Sequence, residues 1–144
     1  MSTIARILER KDSSIHSISA DASLHQAAVV MTRNRVGSLL VRSAEGNVGL
    51  LSERDIVQRL ALATSDAYDT PVWQAMHEIC EVDSDQDIHH AMELMTDRRV
   101  RHLVVRHDGD VIGLVSIGDL VKACIDDQEG AILSLSHYIT GVPD

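Results

Sequence analysis

The chain has 144 residues, with 22 acidic against 13 basic side chains and a formal net charge of −9. That length suits one compact assembly and excludes a large multi-domain enzyme, and the acidic balance repels phosphate backbones, which sets general nucleic-acid binding aside. Hydrophobic residues make up 44% with eight Gly and two Pro, a globular composition; Phe is absent and the aromatic residues are Tyr68, Trp73 and Tyr138, which excludes an aromatic stacking platform for single strands.

The opening Met-Ser-Thr-Ile-Ala-Arg lacks a charged-then-apolar secretory pattern, and Glu9 and Asp12 are foreign to a transit peptide, so a cytoplasmic protein is expected. Ile4, Ile7 and Leu8 have helical spacing. A short strand is expected near Ile15–Ile18. Leu24, Ala27, Ala28 and Met31 then form one apolar helix face, and Ser23 with Gln26 has the form of a capping box at its start. Ser38–Arg42 reads as a buried strand, Ser43–Asn47 as a polar break, and Val48–Leu51 as a second strand. Ile56, Val57 and Leu60 return to helical spacing. Thr64–Thr70 is a polar loop, after which Pro71 is expected to start a packed linker helix carrying Trp73 and Met76. The same order then recurs: a strand at Ile79–Val82, a helix on Ile88, Ala91, Met92 and Met95 capped by Asp87, strands at His102–Arg106 and Val111–Val115, and a helix on Leu120, Val121 and Cys124. Past Gly130, Ile132, Leu135 and Ile139 share a face, for docking on the chain itself, on a second subunit or on a partner. The longest apolar runs, Ala27–Met31 and Val111–Val115, are far short of the ~20 residues a membrane helix needs.

Sliding the chain by 64 positions aligns Ile18–Val57 with Val82–Val121 without a gap, and 15 of the 40 pairs are identical. A unit of about 60 residues buries too little surface to be robust alone, so two copies packed about a pseudo-twofold axis are expected. The fold class is therefore α/β (α+β), each repeat running strand-helix-strand-strand-helix. Residues 1–63 are expected to form the first repeat with its N-terminal segment, 64–78 a linker, 79–125 the second repeat and 126–144 a helical tail. Cys80 and Cys124 have no Cys-x-x-Cys partner and read as buried free thiols.

The segment that carries chemistry occurs twice, as Gly49-Leu-Leu-Ser52-Glu-Arg-Asp55 and Gly113-Leu-Val-Ser116-Ile-Gly-Asp119. Each stands where a strand becomes a helix, and a helix start offers unpaired N–H donors and partial positive charge to a phosphate. Ser52 or Ser116 can donate to that phosphate, while Asp55 or Asp119 can accept from both hydroxyls of a ribose. Ser-x-x-Asp before an apolar run is equally a capping box, and spacing alone does not separate the two.

The duplication, the order of elements and this repeated signature resemble a tandem pair of CBS (cystathionine-β-synthase-like) domains, of the free-standing bacterial kind. The resemblance covers the chain to about Cys124. It implies clefts between the copies that bind AMP, ADP, ATP, NAD(H) or S-adenosylmethionine, AMP foremost, and a homodimer that signals to a regulated protein. It places Asp55 and Asp119 on ribose hydroxyls, Ser52 and Ser116 beside phosphate or ribose, and Ile18 and Val82 against adenine. Val104 stands where the family often has Pro.

The copies differ chemically. Arg101 and His102 replace Gly37 and Ser38, adding phosphate donors to the second copy, and Gly118, next to Ile117, admits a ligand close to the backbone. Tighter binding is expected there. Arg54 is either a second-phosphate contact or a solvated charge, and the duplicated Arg35 and Arg99 either pair with acidic neighbours or touch ligand. Catalysis is not expected: there is no His-Glu-x-x-His, no Gly-x-Ser-x-Gly turn, and His89-His90 cannot both face one metal. A ligand-free dimeric adaptor is the competing reading.

Overall fold

The computed structural model describes residues 3–11, 14–63 and 66–140, with side chains to 128. The chain divides into two compact units, one holding the first repeat from Ser14 to Ile79 and the other the N-terminal helix together with the chain from Cys80 onward.

In the first unit, β1 (Ser17–Ser19), β2 (Ser38–Ser43) and β3 (Gly46–Ser52) form a sheet in the order β1-β2-β3. β1 runs parallel to β2, and β2 antiparallel to β3 in the register Leu39↔Leu51, Leu40↔Leu50 and Val41↔Gly49. The parallel pair requires a crossover, which is α2 (Leu24–Asn34). The expected capping box is present: Gln26 N–H donates to Ser23 Oγ and Ser23 N–H to Gln26 Oε1. Leu24, Ala27 and Met31 pack on Leu39, Val41 and Leu51, with Val72 of the linker fully buried among them. Burying each large aliphatic side chain contributes about 1.5–3 kcal/mol, and α3 (Glu53–Leu62) closes the unit. The linker forms 3-10 turns at Ala67–Asp69 and Val72–Gln74 rather than the expected helix, with Pro71 as the cap before the second turn.

The second unit repeats the plan: β4 (Glu81–Asp83), α4 (Ile88–Arg98), β5 (His102–His107), β6 (Asp110–Ser116) and α5 (Ile117–Thr140), with sheet order β4-β5-β6. Asp87 caps α4 as expected, accepting from His90 N–H at 2.8 Å. Arg35 and Arg99, identical in the two copies, sit at the same place: both are left-handed caps at helix C-termini, with φ 54° and 55°. Val104 N–H donates to Cys80 O at 2.9 Å, a bond a proline there would lack.

The N-terminal helix α1 (Ile4–Arg10) was expected with the first repeat and packs instead on the second. Ile4 N–H donates to Gln86 O and Ala5 N–H to Ser84 O, and Ile4, Ile7 and Leu8 enter the core of Val82, Ile88, Met95 and Leu103. The linker does the equivalent for the first repeat, where Val72 N–H donates to Ala22 O and Trp73 N–H to Ala20 O. Both repeats need this added segment, because Gly49 and Gly113 leave a notch in β3 and β6. A Cβ at Gly49 would lie 2.5 Å from Met76 Sδ, and one at Gly113 2.8 Å from Leu8 Cδ2.

The expected tail is no separate element: the helical backbone of α5 runs unbroken past Gly130 to Thr140. A helical glycine costs only about 1 kcal/mol. The face of Ile132, Leu135 and Ile139 lies outside the described side chains. No helix among the described residues is long and apolar enough to cross a membrane.

Candidate functional site

Each signature lies where its spacing placed it, at the turn from β3 into α3 and from β6 into α5. The strand pairing sets Ser38 opposite Ser52 and His102 opposite Ser116, so Gly37 and Ser38, or Arg101 and His102, are gathered beside the corresponding helix start. Ser38 is buried, His102 half-buried and Arg101 exposed.

The turns are capped from within. Ser52 N–H and Oγ donate to Asp55 Oδ2 at 2.8 and 3.0 Å, and Asp55 N–H returns a bond to Ser52 Oγ at 3.2 Å. In the second unit Ser116 N–H donates to Asp119 Oδ2 at 2.9 Å and Asp119 N–H to Ser116 Oγ at 3.2 Å. The first helical amides are used as well: Glu53 N–H donates to Gly37 O and Ile117 N–H to Arg101 O. The free donors expected at each helix start are thus reduced, leaving the N–H of Arg54 and of Gly118 without a capping partner among the described residues. The capping alternative is realised in both turns.

Neither carboxylate stands alone. His77 Nδ1 lies 2.7 Å from Asp55 Oδ2, and Lys11 Nζ donates to Asp119 Oδ2 at 2.8 Å and to Leu114 O at 3.1 Å. His77 is placed by a two-way backbone bridge with Leu50. Burial pushes the Asp55 carboxyl up, but the bonds from His77 and Ser52 outweigh it and leave the group below the usual carboxylate range. For Asp119, burial is outweighed in the same way by Lys11 and the Ser116 amide. Both are therefore anions at neutral pH. The bonds found converge on Oδ2, while a carboxylate can accept about four, so each Oδ1 keeps its acceptor capacity.

The remaining candidates fall into two groups. Gly118 and Arg54 are exposed in the first turn of their helices, and a Cβ at Gly118 would meet only Ser116 Oγ at 3.6 Å, an ordinary contact. Packing does not demand a glycine there. Ile18 and Ile117 are half-buried against the cores, and Val82 is 4% exposed within its core, so its side chain faces inward. His77 and Lys11 escaped the sequence reading, since they lie outside the aligned repeat and differ in residue type.

The profile of the CBS domain matches residues 4–62 and 72–126. The chain belongs to the CBS domain family. It is 32% identical over 127 residues to the mitochondrial CBS domain-containing protein CBSX3 of Arabidopsis thaliana, covering 84% of this chain and 62% of that relative's length. Among solved structures, the CBS-domain protein ATU1752 from Agrobacterium tumefaciens superposes with a TM-score of 0.79 at 30% identity, covering 84% of this chain and 92% of that one. The CBS domain protein PAE2072 from Pyrobaculum aerophilum, complexed with AMP, gives 0.72 at 26% identity, covering 82% and 89%. Paired CBS domains are regulatory modules, and the mixed α/β fold with two three-stranded sheets matches theirs.

Proposed function

We propose that this CBS pair is a non-catalytic sensor that binds an adenosine nucleotide (AMP, ADP or ATP) at the turns bearing Asp55 and Asp119. The observation that carries this reading is the duplicated turn: a carboxylate kept ionised, one oxygen taken by its own chain and the other left for a ribose, beside an uncapped helical amide suited to a phosphate. The relative complexed with AMP supports the ligand class. ADP, ATP, NAD(H) and S-adenosylmethionine share the adenosine and compete for the same contacts.

A homodimer is part of the proposal. Val57 and Leu60 on α3 are 63% and 58% exposed, and Val121 and Ile125 on α5 41% and 49%. Large aliphatic side chains at helical spacing on equivalent helices fit a second copy, and the ligand state would reach a regulated protein through that assembly.

The ligand-free adaptor remains the second reading, because His77 and Lys11 already occupy the two carboxylates. A ligand that binds only the folded state raises the melting temperature with its concentration. Titration with AMP, ADP, ATP, NAD(H) and S-adenosylmethionine is expected to show that rise for the adenine nucleotides, AMP included; a flat response to all five supports the adaptor.

A further inference from the structure

The second unit carries a charged groove. Between α1 and α5 runs an open groove of about 120 Å³, lined by Arg6, Arg10, Lys11 and Lys122 and by the carboxylates of Asp119 and Asp126. Four of the 13 basic residues of a chain with net charge −9 thus line one groove. Lys11 is held by Asp119, whereas Arg6, Arg10 and Lys122 have no ion pair or hydrogen-bond partner among the described residues and keep their donors for something else. The groove begins at the carboxylate proposed to hold the ribose.

The first unit supplies an internal comparison. The matching backbone bonds of Ile4 to Gln86 and of Val72 to Ala22 set the start of α1 and of the linker turn in register, so Arg6 corresponds to Gln74, while the linker leaves its helical turn before a counterpart of Arg10 is reached. The repeat alignment pairs Lys122 with Gln58. Two of the cations are replaced by amides, and Gln74 is engaged by Arg59 at 3.0 Å. Guanidinium groups bind phosphate oxygens through paired donors, and side chains four residues apart on a helix, as Arg6 and Arg10 are, share one face.

We propose that the α1/α5 groove is a polyphosphate subsite, holding the phosphates beyond the first of a nucleotide whose ribose sits on Asp119, so that the second repeat selects a nucleoside di- or triphosphate while the first accepts a monophosphate. The ribose-linked form rests on the nucleotide reading; the anion specificity of the groove does not.

Calorimetric titration of the full chain with AMP, with ATP and with inorganic tripolyphosphate separates the two. The wild type is expected to bind ATP about tenfold or more tightly than AMP at one of its sites and to bind tripolyphosphate. R6Q/R10Q is expected to lose the ATP advantage and the tripolyphosphate binding while keeping AMP, with K122Q showing a smaller loss. The charge-matched R33Q/R98Q, whose exposed positions lie on α2 and α4, is expected to change nothing. Equal ATP and AMP affinities in the wild type, or an ATP advantage that survives R6Q/R10Q, would overturn the subsite and leave AMP recognition standing. Absence of AMP and ATP binding would overturn the nucleotide reading and the ribose-linked form together. In that event, tripolyphosphate bound by the wild type and lost in R6Q/R10Q supports an anion groove, and no binding of it overturns that as well.

Discussion

Lys11 Nζ lies 2.8 Å from Asp119 Oδ2 across 108 positions of sequence, so the residue that ends α1 fixes a carboxylate in the first turn of α5. Both groups are partly exposed, at 34% and 25%, which limits the pair to about 1 kcal/mol. Lys11→Met is expected to destabilise the chain by that amount in urea denaturation. It is also expected to move the Asp119 carboxyl back up toward the ordinary range, read by a ¹³C carboxyl titration. An unmoved Asp119 would mean that the Ser116 amide alone sets it.

Acid is expected to remove what these carboxylates contribute. Both titrate lower in the folded chain than when free, so their stabilisation is complete above the free carboxylate value of about 3.9 and is lost as pH falls through the lower folded value. Denaturation of the wild type and of Asp55→Asn is expected to differ at pH 7 and to converge in acid. A gap that is constant with pH contradicts the assignment.

Gly113 and Leu8 make a second test. Gly113→Ala drives a Cβ into the buried Leu8 side chain, which is expected to cost about 1–3 kcal/mol by overpacking. In a double-mutant cycle with Leu8→Ala the added cost of Gly113→Ala is expected to shrink, since the clashing group is gone. Additive losses would show that α1 does not fill the notch.

Gly118→Ala separates stability from binding. Ala is a better helix former than Gly by about 1 kcal/mol, and the site has room for its Cβ, so the melting temperature is expected to hold or rise. Nucleotide affinity is expected to fall as the methyl covers the backbone. Unchanged affinity would remove Gly118 from the site.

The paired substitution V57E/V121E places charge on the exposed apolar faces of α3 and α5. Sedimentation is expected to show the wild type as a dimer and the variant as a folded monomer.

The repeated elements were legible because each carries its own period: Leu24, Ala27 and Met31 could only share a helix face, and their buried positions agree. The placement of α1 was not. The 64-residue offset that aligns the repeats changes to 68 between α1 and the linker, so Leu8 and Met76 never align in a gapless comparison, and burial against a repeat far along the sequence leaves no local mark. The signature itself was legible and its meaning was not, since a capping box and a ribose site need the same Ser-x-x-Asp. Lys11 and His77 are different side chains serving equivalent carboxylates, and only three-dimensional proximity reveals that common service.

The most direct test of nucleotide recognition is a calorimetric titration of AMP into the wild type and into Asp119→Ala. Losing charge-assisted hydrogen bonds to ribose costs about 1.5–3 kcal/mol, so affinity at the second repeat is expected to fall roughly ten- to hundredfold. No heat with the wild type, or equal affinity in the variant, would contradict the account.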